Sequence, residues 1–216
     1  MSISEIMFFA AELIGTAAFS IAGTLIAIRR ELDVFGAVVV GTVTAVGGGC
    51  IRDILLGQFP PMMFKTPIYA LLAAILAVIV FFLEYIIAAR RILESKVYET
   101  VVNIFDALGL AIFVVVGINT AKTSGYQDNA FLSICVGVLT GIGGGIIRDL
   151  FVGTVPMVLR KQVYALPAII GGIIYYYMIY FNANNYFAVI ITIVLIMTIR
   201  ILAAKFRWDL PKIKQK

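Results

Sequence analysis

Two short motifs hold most of the side chains in this sequence that could do chemistry. The first is Gly47-Gly48-Gly49-Cys50-Ile51-Arg52-Asp53 and the second is Gly143-Gly144-Gly145-Ile146-Ile147-Arg148-Asp149. Each lies in an apolar stretch, and each has a carboxylate in the apolar stretch preceding it, Glu12 for the first and Asp106 for the second. Ionisable residues inside such stretches are costly unless paired or hydrated, which makes them functional candidates. The chemistry they suit is the handling of ions. The chain has no histidine, which removes His-based triads, His–metal sites and imidazole proton relays. No nucleophile–base constellation can be assembled from the few remaining polar residues, so no enzyme, cofactor or metal site is expected. A phosphate loop needs Lys-Ser/Thr after its glycines, and neither motif supplies it. The Gly-x-Gly-Asp setting of an intramembrane aspartyl protease is missing too.

The elements that must position these residues follow from composition. Of 216 residues, 62% are hydrophobic and only 13% charged, with a mean hydropathy of +1.05. A soluble domain carries about 45–50% apolar and about 25% charged residues, and a disordered chain needs low hydrophobicity; both classes are excluded. A helix needs about 20 apolar residues to cross a bilayer core. Seven stretches qualify: Ile6–Ile28, Val34–Ile51, Ile68–Ala89, Val101–Ala121, Ala130–Ile147, Val163–Phe181 and Tyr186–Ala204. The alternating segments of a membrane barrel are absent. The first stretch carries Glu5 and Glu12 in place of a basic start, so it reads as a span and not a cleavable signal.

Basic residues sort to one side of these spans. Arg29 and Arg30, then Arg90, Arg91 and Lys96, then Arg160 and Lys161, and the tail from Lys205 share that side. The other side receives Lys65, Lys122 and the turn Asn182, Asn184, Asn185. The positive-inside rule places the N-terminus outside and the C-terminus in the cytoplasm of a multi-pass protein of the cell membrane. The net charge of +5 is accounted for by this flanking, and nucleic acid is not an expected partner.

The motifs belong to an internal repeat. The second glycine run follows the first by 96 residues, as Gly137 follows Gly41. Upstream, Glu12, Gly15, Phe19 and Gly23 match Asp106, Gly109, Phe113 and Gly117 at 94 residues; downstream, Tyr69-Ala70-Leu71 matches Tyr164-Ala165-Leu166 at 95. Each copy holds three spans. Because three is odd, the second copy enters from the opposite face, giving an inverted pair of the kind that places a pathway where its halves meet. The expected architecture is an all-α integral membrane protein of a single domain. Repeat one spans 5–89 and repeat two 100–181; an extra helix over 186–204 and a basic cytoplasmic tail over 205–216 follow.

A triple glycine inside a helix has two readings. It can kink or unwind helices 2 and 5 and free carbonyls toward an ion, or it can let helices pack closely through small residues. Repetition at inverted positions, each time beside Arg-Asp, favours the first. Glu12 lies about seven residues into its span, roughly 10 Å deep at 1.5 Å per residue, and Arg52 has a similar depth. Ion pairs Glu12–Arg52 and Asp106–Arg148 are therefore expected. Adjacent residues on a helix diverge, so Asp53 and Asp149 should find other partners, such as helix ends. The alternative is that these charges only lock helices together. Glu84 and Arg200, near span ends, are expected to snorkel. Thr42, Thr44 and Thr140 can line a pathway or bond back to their own helices. Tyr175, Tyr176 and Tyr177 suggest an interfacial belt. Gly171-Gly172 suit a subunit contact or an internal one. Lys65 and Lys161 occupy equivalent loops, as mouth or gating residues or as anchors. Cys50 and Cys135 read as small buried hydrophobes and not a disulfide.

The doubled Gly-Gly-Gly-x-x-Arg-Asp, with Gly57 and Pro60 behind the first copy and Gly153 and Pro156 behind the second, resembles the prokaryotic TRIC family, relatives of the trimeric intracellular cation channels. The resemblance covers nearly the whole chain. It implies a homotrimer in membrane lipid, with a pore in each subunit that conducts monovalent cations such as K⁺ and Na⁺. It implies that the pore passes beside kinks at Gly47, Gly48, Gly49, Gly143, Gly144 and Gly145, with Arg52, Asp53, Arg148 and Asp149 around it. Animal members carry a lysine after the second run, where this chain has Ile146. The same family also bears the label of a glycine transporter, which keeps open a secondary transporter of a small neutral amino acid.

Overall fold

The computed structural model describes residues 3–89, 95–160, 163–206 and 208. Nine α-helices carry almost all of them: α1 (Ile3–Arg29), α2 (Val34–Leu55), α3 (Met62–Lys65), α4 (Ile68–Ala89), α5 (Ser95–Ala121), α6 (Ala130–Phe151), α7 (Met157–Arg160), α8 (Ala165–Tyr180) and α9 (Asn185–Phe206). Six are long and apolar enough to cross a membrane. The remaining span expected from the sequence is α8, whose 16 residues extend about 24 Å at 1.5 Å per residue.

The two glycine-bearing helices start and stop on matching signals. Asp33 caps α2 by accepting from the Gly36 N–H at 2.7 Å, and Asn129 caps α6 by accepting from the Leu132 N–H at 3.0 Å. Both side chains satisfy a backbone donor that the helix start leaves unpaired. Gly57 and Gly153 follow the two C-termini with φ of 69° and 68°, the left-handed conformation in which glycine ends a helix without a Cβ penalty. Each helix has 22 residues, four more than the 18 of its sequence span, so the Arg-Asp pairs fall inside the helices.

No unwound stretch interrupts either glycine run. Residues 47–49 and 143–145 are helical, as are their neighbours on both sides. The expectation of freed carbonyls at these positions is corrected: the glycines keep their helical bonds and serve close packing.

The helices α1, α2, α5 and α6 form the centre, with α1 against α2 and α5, and α6 against α2 and α5. The α4 helix packs on α1 and α2; α8 packs on α5 and α6; α9 adds to α5 and α8. The core is densest along α5, where Leu110, Ala111, Val114 and Val115 are buried. Outward faces are apolar as well. Leu71, Ile75, Phe82 and Leu83 on α4, with Phe187, Ile190 and Val194 on α9, are exposed, the arrangement of a helix bundle whose outer solvent is lipid.

Candidate functional site

The site is built around the crossing of α2 and α6. A Cβ placed on Gly48 would lie 2.1 Å from the carbonyl oxygen of Thr140, and one on Gly144 would lie 2.1 Å from the carbonyl oxygen of Thr44. A Cβ on Gly47 would meet Ile147 at 2.7 Å, and one on Gly143 would meet Ile51 at 2.9 Å. A shift of 96 residues exchanges the members of each pair, as a local two-fold relation between the halves would. Gly49 differs: its nearest neighbour is the Arg52 guanidinium at 3.8 Å. Only glycine lets two backbones meet at this distance.

On the second-half side of the crossing lies a closed cluster of four charges. Asp106 Oδ1 accepts from Arg148 Nη1 at 2.7 Å and from the Tyr164 hydroxyl at 3.2 Å. Asp106 Oδ2 accepts from Arg200 Nη2 at 2.8 Å. Arg148 Nε donates to Asp149 Oδ1 at 2.9 Å, and Asp149 Oδ2 accepts from the Met157 N–H at 2.7 Å. The Arg200 guanidinium lies 4.1 Å from the centre of the Tyr164 ring, a cation–π distance. The Asp106 and Arg148 side chains are 0% exposed. Two arginines face two carboxylates, so the buried charges balance, which a low-dielectric site requires.

The first half repeats this pattern with one member fewer. Arg52 Nη1 stands 3.5 Å from Glu12 Oε1, and Arg52 Nε donates to Asp53 Oδ1 at 2.8 Å. Asp53 Oδ2 accepts from the Met62 N–H at 2.7 Å. The Tyr69 hydroxyl donates to Glu12 Oε2. Here one arginine faces two carboxylates. The Glu12 side chain is 21% exposed and borders a cavity of about 40 Å³ that Thr16, Gly49, Cys50, Met63 and Tyr69 also line.

Several expectations are corrected. Asp53 and Asp149 do reach helix ends, at Met62 and Met157, but each also binds its adjacent arginine; a long arginine stem folds back across the divergence of neighbouring Cβ atoms. Arg200 does not snorkel. It turns inward, because Asp106 offers a second carboxylate oxygen that Arg148 leaves free. Tyr175 and Tyr176 are buried, and the Tyr176 hydroxyl donates to the Gln127 carbonyl at 2.8 Å, so only Tyr177 of the three faces outward. Gly171 belongs to an internal contact, since a Cβ there would meet Ile196 of α9 at 2.3 Å. Thr44 and Thr140 bond back to Val40 and Val136 carbonyls, each at 2.6 Å. The Thr42 hydroxyl is buried without a hydrogen-bond partner among the described residues. Lys65 ends α3 and is exposed. Arg90, Arg91, Lys161, Arg207 and the lysines beyond residue 210 lie outside the described residues. Cys50 and Cys135 are free thiols, and the Cys50 Sγ donates to Met63 Sδ at 3.0 Å.

Sequence reasoning missed Tyr69, Tyr164 and Arg200 as members of the clusters. The tyrosines carried a signal, their match across the repeat at 95 residues. Arg200 carried none, because its helix has no counterpart in the first half.

Known proteins resemble this chain in sequence and fold. A family model described as a glycine transporter matches residues 9–85 and 103–180. The UPF0126 inner membrane protein YadS of Escherichia coli (strain K12) is 36% identical over 201 residues, 93% of each chain. A prokaryotic TRIC channel crystallised in 0.5 M KCl superposes with a TM-score of 0.84 at 32% identity, over 95% of this chain and 100% of that one. The orthologue of the TRIC trimeric intracellular cation channel from Rhodobacter sphaeroides gives 0.84 at 31% identity, over 94% and 99%.

Proposed function

This chain belongs to the prokaryotic TRIC family, and from that premise we propose that it is a cation channel, selective for monovalent cations such as K⁺ and Na⁺. The observation that carries the reading is the likeness of fold along nearly the whole chain to crystallised TRIC channels. The two charge clusters flanking the glycine crossing agree with it: in a chain so poor in charge, they are what a permeating cation would meet.

The proposed unit is a homotrimer in membrane lipid, with one pathway per protomer beside the α2–α6 crossing. Repeats 5–89 and 100–181 form inverted halves, the helix over 186–204 buttresses the second, and the tail over 205–216 lies in the cytoplasm. The N-terminus is outside, so the Glu12 cluster faces the exterior and the Asp106 cluster the interior. Glu12, Arg52 and Asp53, with Asp106, Arg148 and Asp149, set the field along the path. Carboxylates offset each arginine, so neither cluster is a bare positive barrier. Thr42 has an unpartnered hydroxyl to offer, whereas Thr44 and Thr140 must release their own helices first. Lys65, exposed at the end of α3, flanks the outer mouth. The backbones of α2 and α6 meet at Gly48 and Gly144, and the pathway runs beside that contact.

Purified protein in a planar bilayer under a KCl gradient tests the reading; discrete currents reversing near the K⁺ equilibrium potential are expected. The second reading, a secondary transporter of a small neutral amino acid such as glycine, is supported by the description of the matching family alone. It requires saturable uptake and no single-channel steps.

A further inference from the structure

The two clusters differ by one cation, and the difference identifies a binding site. In the second half, Asp106, Arg148, Asp149 and Tyr164 are completed by Arg200, which puts a guanidinium on Asp106 Oδ2 at 2.8 Å and over the Tyr164 ring at 4.1 Å. Arg200 comes from α9, outside the repeat, so the first half has no equivalent of it. There Glu12, Arg52, Asp53 and Tyr69 hold the corresponding positions. One guanidinium serves two carboxylates here: Arg52 donates to Asp53 at 2.8 Å and stands 3.5 Å from Glu12, whose other oxygen accepts from the neutral Tyr69 hydroxyl, so the cluster carries one net negative charge. Beside Glu12 and Tyr69 lies the 40 Å³ cavity, with room for about three water-sized occupants. Thr16, Gly49, Arg52 and Asp53 also border it, so with Glu12 the lining holds two carboxylates and one guanidinium.

We propose that the cavity beside Glu12 and Tyr69 is a binding site for a small monovalent cation, and that Arg200 is the tethered occupant of its second-half counterpart. One half of the molecule thus displays how the other holds its ligand, with a carboxylate and a tyrosine beside the cation, in a site too small for a fully hydrated ion. A K⁺ ion satisfies the charge, and free guanidinium reproduces the Arg200 head group itself. The choice of ligand rests on the cation-channel reading.

Cys50 lines the same cavity and provides the readout. The full-length protein carrying Cys135→Ser keeps Cys50 as its single thiol. Its modification by a small neutral methanethiosulfonate is timed in KCl, in guanidinium chloride, and in N-methyl-D-glucamine chloride, whose cation is too large for the cavity. K⁺ and guanidinium should slow the reaction, roughly tenfold once the cation exceeds its Kd tenfold, and Glu12→Gln should remove the protection. Equal rates in the three salts, or protection that persists without Glu12, would overturn the site.

A second variant guards against Glu12→Gln failing to fold. Ile146 is the repeat counterpart of Cys50, so Ile146→Cys in a background without the native cysteines reports on the second half. With Arg200 present its labelling should ignore the salt, whereas Arg200→Gln should make it cation-sensitive. Salt-independent labelling after Arg200→Gln contradicts the proposal. These measurements need no gradient: protection without currents refutes conduction and spares the site, and currents without protection do the reverse.

Discussion

Gly48 and Thr140 are in backbone contact across the α2–α6 crossing, and Gly144 and Thr44 repeat that contact from the other half, each with 2.1 Å between a would-be Cβ and a carbonyl oxygen. No rotamer change can relieve an overlap with backbone. Gly48→Ala and Gly144→Ala should therefore push the helices apart and destabilise the protein by about 1–3 kcal/mol or more, the cost of overpacking. Gly49→Ala, with only the Arg52 guanidinium at 3.8 Å, should be neutral or gain up to about 1 kcal/mol from helix propensity. Thermal unfolding in detergent separates the three variants; equal melting temperatures would refute the contact.

The clusters should differ in their tolerance of a lost charge. Asp106→Asn leaves Arg148 and Arg200 facing a single carboxylate in a fully buried site, and breaking such a pairing costs about 3–5 kcal/mol. Glu12→Gln acts on a group that is 21% exposed and leaves Arg52 bonded to Asp53, so its cost should be smaller. The melting temperature of Asp106→Asn should fall well below that of Glu12→Gln. The reverse order would contradict the account of the two clusters.

Much of this arrangement is legible in the sequence because the repeat doubles every local signal. The span count, the all-helical class and the grouping of Glu12 with Arg52, and of Asp106 with Arg148, follow from depth and repeat spacing. The glycine runs are read less well. A glycine permits both a broken helix and a close crossing, and the choice depends on what lies opposite, here carbonyls of Thr140 and Thr44 that are nearly a hundred residues away. Arg200 is illegible for a related reason. Its place near a helix end fits snorkelling, and nothing local reveals that Asp106 has a carboxylate oxygen to spare.

Orientation is open to direct measurement. Lys65 is exposed at the end of α3 and is assigned to the outer face. Lys65→Cys, in a background without Cys50 and Cys135, should be modified in intact cells by a membrane-impermeant maleimide, while Arg30→Cys should react only after permeabilisation. The opposite pattern would invert the topology.

Helix ends offer a check on local energetics. Gly57 and Gly153 hold φ near 70° with no atom within 4 Å of a would-be Cβ, so Ala there meets strain alone. Each substitution should cost about 1–2 kcal/mol, the left-handed penalty of an L-residue, and the two costs should be nearly equal. Unequal melting shifts would argue against equivalent caps in the two halves.

The central claim is that a cation path runs past Glu12 and Asp106 on either side of the glycine crossing. Single-channel recording under a KCl gradient, with wild-type protein and Glu12→Gln in the same bilayers, tests it most directly. The account predicts wild-type currents reversing near the K⁺ equilibrium potential and a smaller unitary conductance in Glu12→Gln. Reversal at the Cl⁻ potential, or a Glu12→Gln conductance and selectivity equal to wild type, would contradict it.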